Sequence, residues 1–282
     1  MFQQPKDFME ESDALYELLK DKHDEELAEH TQFKNWTFDN IIGHLHTWNW
    51  AADLALKNGE DFGTFIASAM EEIQKTNIRT FEEKWLDGLC GRELFEAWHS
   101  LYPQIADRFT ATDPKMRVQW SGPDMSVRSS ITARLMETWA HGQEVYDTLG
   151  IVRQDKDRIK NIAVLGVNTF GWTFKNRGMN IPDEVPYVRL TAPSGETWEW
   201  NNPDRDSQIE GSATEFCQVV TQTRNIADTE LTVSGDTATQ WMAIAQCFAG
   251  RVEDPPAPGT RHTAAGSSDL GRNNTFNDGR SD

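Results

Sequence analysis

Two side chains with the spacing of metal ligands lie within one predicted helix. Glu137 and His141 stand four residues apart in the segment SVRSSITARLMETWAHGQEVYDTLG. Residues at this spacing lie one turn apart on the same helix face, so a carboxylate and an imidazole can reach one ion. The same spacing also gives ordinary side-chain contacts on exposed helices. Glu144 extends this face by a further turn.

A second predicted helix carries two histidines, His44 and His46. Residues two apart point about 200° away from each other on a helix, so at most one of them can face the same centre. His44 shares a face with Ile41 and Trp48, whereas His46 aligns with Ile42. The pattern favours His44 as a third ligand and leaves His46 as the alternative.

Composition restricts the class of protein. The 282 residues carry a net charge of −18, which argues against nucleic-acid binding, because such binding depends on lysine and arginine at the phosphates. The sequence shows neither an apolar run of membrane-spanning length nor the apolar centre of a signal peptide. We therefore expect a cytoplasmic monomer or homodimer that acts on a small-molecule substrate, without nucleic-acid or membrane partners.

Apolar periodicity predicts that the first half of the chain is helical. Helices are expected over residues 8–29, 37–57, 60–74, 80–109 and 126–149. Gly150 is placed to end the last of these helices, and Gly88 and Gly91 can interrupt the fourth. Long amphipathic helices joined by short loops are typical of a bundle. We assign residues 1–154 to this helical domain.

The pattern changes after about residue 154 to a mixture of helices and strands. Strands are predicted over residues 187–192, 196–200 and 230–233, and helices over residues 159–175, 213–222 and 237–249. We interpret residues 155–252 as a small α+β domain. Residues 253–282 consist largely of proline, glycine, serine, asparagine and aspartate, and we expect them to form a disordered tail.

Two segments of the sequence resemble a known superfamily. Residues 36–45, WTFDNIIGHL, resemble the segment of the DinB-like, mycothiol-dependent maleylpyruvate isomerase superfamily in which a tryptophan precedes a helix with a histidine ligand. Residues 133–147, ARLMETWAHGQEVYD, resemble its second ligand helix. The resemblance covers roughly residues 5–250 and is greatest to a poorly characterised branch with a long C-terminal domain.

The resemblance implies a fold, a metal site and a class of chemistry. The implied fold is an α+β chain, with an N-terminal up-down four-helix bundle of the DinB-like type and a smaller C-terminal α/β domain. The implied ligands are His44, Glu137 and His141, holding a divalent ion, most often Zn²⁺, with one open position. A low-molecular-weight thiol such as mycothiol or glutathione would be activated there for isomerase or transferase chemistry on a small electrophilic organic acid.

Two further residues are expected to take part in catalysis. Glu144 would support the ligands or shuttle a proton. Arg134, together with Arg128, would offset the negative charge of an anionic substrate and thiol. The alternative for Arg134 is a surface position without a role at the site. The isomerase branch also uses an arginine from its C-terminal domain. Three arginines of this chain are candidates for that position: Arg224, Arg251 and Arg261.

Two alternative functions fit the same residues. In the first, the ion activates water, and the protein is a metal-dependent hydrolase or lyase. In the second, the tryptophan-rich pocket sequesters a ligand without catalysis, as in a stress-response protein.

Overall fold

The computed structural model describes residues 2–122 and 124–264. The helices of the first half are α1 (Gln4–Leu19), α2 (Asp24–Leu27), α3 (Phe38–Lys57), α4 (Gly59–Lys75), α5 (Ile78–Leu86), α6 (Gly91–Thr110) and α7 (Val127–Thr148). Helices α1, α7, α3 and α6 contact one another in that order around a closed ring and form a four-helix bundle. Helices α4 and α5 pack against α3, outside the ring.

The two helices that carry the candidate ligands have well-defined ends. Thr37 starts α3 with a capping box, because its hydroxyl accepts the N–H of Asn40 while the Asn40 side chain accepts the N–H of Thr37, both at 3.1 Å. The Ser126 hydroxyl accepts the N–H of Ser129 at the start of α7. Gly150 has φ +67° just after α7, a conformation that glycine adopts without strain. These local signals fix the start of α3 and both ends of α7.

The predicted helix over residues 80–109 is two helices, as the glycines within it allowed. Asp87, Gly88 and Gly91 have positive φ angles of +48°, +89° and +57°, which a continuous α-helix cannot contain. The break separates α5 from α6. A short antiparallel pair of strands, β1 (Arg117–Val118) and β2 (Met125–Ser126), lies in the connection to α7.

The second half contains a mixed sheet covered by helices. Its elements are α8 (Lys160–Asn168), α9 (Phe170–Asn176), β3 (Tyr187–Thr191), β4 (Thr197–Trp200), β5 (Gln208–Ser212), α10 (Ala213–Val220), β6 (Thr232–Ser234) and α11 (Asp236–Ile244). The strand order is β4-β3-β5-β6, with β3 and β5 parallel and the other pairs antiparallel. The predicted fold class, an α+β chain with an N-terminal four-helix bundle, is confirmed. The boundary at residue 154 stays a prediction.

Helix α7 contributes residues to the apolar cores of both halves of the chain. Its residues Leu135 and Val145 belong to the apolar core of the bundle, while Met136 and Trp139 pack into the core that includes the sheet and its helices. Because α7 is covered on opposite sides, side chains all around it are buried, including polar ones. The candidate ligand His141 is therefore buried on α7, and Glu137 is only partly exposed.

The expected disordered tail differs from the structure over residues 253–264. Glu253 pairs with Lys34 at 3.0 Å, and the N–H of His262 donates to the Gln32 side chain at 2.8 Å. The N–H of Ala264 donates to the carbonyl of Asp147 at 2.8 Å. Polar contacts, rather than apolar burial, order this stretch, which is why composition did not reveal it. Residues 265–282 of the predicted tail lie outside the described residues.

Within the described ranges, none of the helices combines the length and the apolar character needed to cross a membrane.

Candidate metal centre

Helices α3 and α7 bring the three predicted ligands together. Nε2 of His44 and Nε2 of His141 each lie 3.5 Å from Oε2 of Glu137, and the three candidate ligand atoms are all within 4.8 Å of one another. Ligands at ~2.1 Å around a tetrahedral ion are separated by roughly 3.4 Å. Two imidazoles and one carboxylate also form a donor set that zinc uses. The residues therefore fit a divalent ion of this kind.

The structure distinguishes the two histidines that the sequence left open. His44 faces Glu137 and His141, whereas the ring of His46 lies 6.0 Å from the ring of Trp85, on another side of α3. Burial lowers the pKa of His46, which favours the uncharged form of its imidazole. His44 is the histidine of α3 that belongs to the cluster.

Sequence reasoning missed Glu82, which lies on α5. Its Oε1 is 2.7 Å from Nδ1 of His44 and accepts a hydrogen bond from the indole N–H of Trp48, also at 2.7 Å. The Glu82 side chain is buried. The sequence contains a weak indication that Glu82 is buried, since it shares a helix face with the apolar residues Ile78 and Leu86.

Negative charge on both sides of His44 determines the electrostatics of the cluster. Burial opposes protonation of His44, but the carboxylates of Glu82 and Glu137 outweigh it and raise the pKa of His44 to about 9. Burial would raise the pKa of Glu137, but hydrogen bonds from His141 and His44 hold it well below the usual range. Burial lowers the pKa of His141. The cluster thus favours a positive charge held among its three side chains.

Aromatic rings fix the orientation of both histidines. The Trp36 ring stacks on the His141 ring with centroids 5.6 Å apart and planes 4° apart, and Phe33 meets the same imidazole edge-on at 5.2 Å. Trp36 also lies 5.4 Å from the His44 ring. Packed rings of this size restrict the rotation of the imidazoles and keep water away from most of their surface. Glu137 is the most open of the three ligands, with 21% of its side chain exposed.

Arg134 lies one turn before Glu137 on α7 and is buried, so the alternative of a surface position for Arg134 is wrong. Its Nη2 is 4.0 Å from Oε1 of Glu137, and its guanidinium lies 5.2 Å from the ring centroid of Trp120. Among the described residues, no hydrogen-bond partner reaches its Nη1 atom. Arg128, which was expected to assist Arg134, is instead exposed and lies over the ring of Phe2.

Glu144 lies one turn beyond His141 and is only 1% exposed. Burial raises the pKa of its carboxyl to about 7, against the opposing effect of Arg261 and Arg224. Arg261 reaches it from the C-terminal segment, with Nη1 3.1 Å from Oε1 of Glu144. A pKa in this range is close to that of an efficient general acid or base at neutral pH.

The three arginines considered from the sequence lie in different environments. Arg224 forms a buried two-pronged pair with Asp147, with both N–O distances 2.7 Å. Arg261 contacts Glu144 and lies 4.8 Å over the ring of Phe33. Arg251 is exposed. Arg261 is thus the C-terminal arginine that joins the wall of the candidate site, through Phe33.

A cavity of about 200 Å³ borders the other side of His44. It lies between α3, α5 and the turn after α5, and Gly43, His44 and Glu82 form part of its wall. Neither Glu137 nor His141 lines it. The cavity therefore opens toward Glu82 rather than toward the three candidate ligand atoms.

Comparison with known proteins identifies relatives of this chain over most of its length. Residues 8–146 match the family model of the mycothiol maleylpyruvate isomerase N-terminal domain. Two curated proteins, from two strains of Mycobacterium tuberculosis and both named as uncharacterized, are each 34% identical to this chain over 253 residues. The alignment covers 90% of this chain and 96% of each relative.

Solved structures share the fold at low sequence identity. A crystal structure of the mycothiol-dependent maleylpyruvate isomerase aligns with a TM-score of 0.54 and 14% identity, covering 90% of this chain and 95% of that one. A histidine-to-alanine mutant of that enzyme aligns with a TM-score of 0.50 and 14% identity, covering 77% and 87%. The resemblance seen in the sequence is confirmed, and the chain belongs to the family of proteins with a mycothiol maleylpyruvate isomerase N-terminal domain.

Proposed function

We propose that this protein is a metal-dependent enzyme that activates a low-molecular-weight thiol, with mycothiol as the first candidate and Zn²⁺ as the first candidate metal. Its reaction would be an isomerisation or group transfer on a small electrophilic organic acid. The observation that carries the proposal is the convergence of His44, Glu137 and His141, at ligand–ligand distances suited to one ion. The related isomerase supports the choice of thiol and reaction class.

Each residue of the cluster has a role in this proposal. His44, Glu137 and His141 would hold the metal, which when bound supplies the Lewis acidity that lowers the pKa of a thiol or water. The aromatic rings against the two histidines limit the access of water. The exposed part of Glu137 marks the side from which small molecules would enter.

The side chains beyond the ligands would bind and protonate the substrate. Arg134 would hold a carboxylate of the substrate through its Nη1 atom, since guanidinium groups bind carboxylates with charge-assisted hydrogen bonds. Glu144, whose pKa is about 7, would store and return a proton on the same face of α7 as Glu137 and His141. This assigns one binding role and one acid–base role to the residues that the sequence had selected.

Metal analysis of purified variants tests the site. We expect about one divalent ion per chain in the wild-type protein and its loss in His44→Ala and His141→Ala. His46→Ala is the matched control, because it removes the same side chain from the same helix outside the cluster, and it should keep the ion. Full occupancy in His44→Ala and His141→Ala would contradict the proposal.

Cobalt substitution tests the thiol. A sulfur–cobalt charge-transfer band should grow when mycothiol is added to the Co²⁺ protein, because thiolates are good ligands for this class of metal. A band that appears with glutathione but not with mycothiol would identify glutathione as the thiol that the protein binds. A Co²⁺ protein whose spectrum responds to pH but to neither thiol would instead support the metal-bound water of a hydrolase or lyase. A spectrum that responds to none of these would favour a non-catalytic binding protein.

A further inference from the structure

We infer that Glu82 is a positioning residue that fixes the His44 imidazole with Nε2 facing the other two ligands. This inference rests on the proposed metal site. It starts from the contact of 2.7 Å between Oε1 of Glu82 and Nδ1 of His44. Glu82 lies on α5, which packs outside the ring of the four bundle helices. Helix α5 supplies no ligand itself but would orient the ligand His44 on α3.

The chemistry of the imidazole makes this contact directional. A neutral histidine has one N–H and one nitrogen lone pair, and a carboxylate can only accept a hydrogen bond. Once His44 has lost its second proton, as metal binding requires, Nδ1–H donates to Glu82 and the lone pair lies on Nε2, the atom that is 3.5 Å from Oε2 of Glu137. Carboxylates placed behind metal-binding histidines select the tautomer and increase the basicity of the ligand nitrogen.

Glu82 is itself held in place. Its Oε1 also accepts the indole N–H of Trp48 at 2.7 Å, and Trp48 lies one turn after His44 on α3. One carboxylate oxygen therefore joins two successive turns of α3 to α5. This arrangement leaves the Glu82 side chain little freedom to rotate, and it transfers that rigidity to His44.

The charge of Glu82 is directed at the cluster. The nearby Arg79 pairs with the exposed Glu83 at 3.4 Å, whereas Glu82 pairs with His44. A buried carboxylate is costly unless a positive charge or several hydrogen bonds compensate it. Through the imidazole of His44, a cation in the cluster would supply that compensation, so the metal and Glu82 should stabilise each other.

Metal affinity measured by chelator competition tests the inference in Glu82→Gln and Glu82→Ala. Removing such a partner typically weakens metal binding by about 10- to 100-fold. We expect a loss of that size in both variants, larger in Glu82→Ala because glutamine can still accept both hydrogen bonds. Glu83→Gln is the control, since Glu83 is exposed and pairs with Arg79, and its affinity should equal that of the wild-type protein.

Nitrogen-detected NMR of His44 in the zinc-loaded wild-type protein provides a second readout that needs no variant to fold. The expected result is a proton on Nδ1 and metal coordination by Nε2. Wild-type affinity in both Glu82 variants, or coordination through Nδ1, would overturn the inference while leaving the metal site intact. A wild-type protein that binds no divalent ion would instead overturn the proposed function and this inference with it.

Discussion

Glu144 provides a pH-dependent test of the electrostatics around the site. Its carboxyl is buried on α7, with Oε1 accepting from Arg261 and Oε2 without a hydrogen-bond partner among the described residues. Burial raises its pKa from 4.5 to about 7. Glu144→Gln keeps the size and the acceptor oxygen of the side chain but removes its titration.

The sign and size of the effect follow from linkage between protonation and folding. Because the pKa is higher in the folded state, the folded protein keeps a proton that the unfolded chain has already released. The free energy of unfolding contributed by this group is therefore greatest below pH 4.5 and falls as the pH rises to about 7. The difference between the two pKa values corresponds to about 3 kcal/mol. Well above pH 7 Glu144 is ionised in both states, so this loss of stability no longer changes with pH.

Urea unfolding followed by tryptophan fluorescence measures this contribution between about pH 5 and about pH 8. As the pH rises through this range, the free energy of unfolding of Glu144→Gln should increase by about 3 kcal/mol relative to that of the wild-type protein. Glu29→Gln, which changes an exposed glutamate, should instead follow the wild-type curve. Parallel curves for Glu144→Gln and the wild-type protein would show that Glu144 is an ordinary ionised carboxylate, and its acid–base role would be abandoned.

Three other substitutions have effects that chemical denaturation can measure. Asp147→Ala should cost about 3–5 kcal/mol, because it leaves the buried guanidinium of Arg224 without its carboxylate. Arg261→Met should cost about 1.5–3 kcal/mol above pH 7 and less at pH 5, where Glu144, its partner, is neutral. Gly166→Ala should cost about 1–3 kcal/mol, because a Cβ there would lie 2.9 Å from a methyl group of Val220.

Two matched variants provide the controls for these substitutions. Gly171→Ala adds the same atom where the nearest neighbour, Ile181, is 3.7 Å away, so it should not destabilise the protein. Arg251→Met changes an exposed arginine and should alter stability by less than about 0.5 kcal/mol. A loss in either control equal to that in its partner would refute the corresponding structural explanation.

The parts of the site that could be predicted from sequence depend on local geometry. Glu137 and His141 lie on one helix, so their spacing of four residues already brings their side chains together. The ends of α7 were also local, because Ser126 and Gly150 mark them. Spacing alone could not select His44, because the packing of α3 determines which of its faces meets α7. The resemblance to a known family selected this histidine.

The parts that could not be predicted depend on contacts between distant segments. Glu82 meets His44 across 38 residues of sequence, and one carboxylate in a charged helix gives little indication of such a partner. Strand β5 has a single strongly apolar residue, Ile209, so alternation did not reveal it. The segment around Arg261 is ordered by hydrogen bonds to Glu144 and Gln222, which a count of apolar residues cannot anticipate.

The net charge of −18 is compatible with an anionic substrate, because the charge near the site differs from that of the whole chain. Arg134 and Arg224 lie buried on or beside α7, and Arg261 lies partly buried beside it. The charges of Arg224 and Arg261 are matched by Asp147 and Glu144, so they contribute little attraction for a ligand. Arg134 stands 4.0 Å from Glu137 and keeps an unpaired Nη1 atom within the described residues. A metal that shares the charge of Glu137 would leave Arg134 free to bind a carboxylate of the proposed substrate, whatever the sign of the net charge of the whole chain.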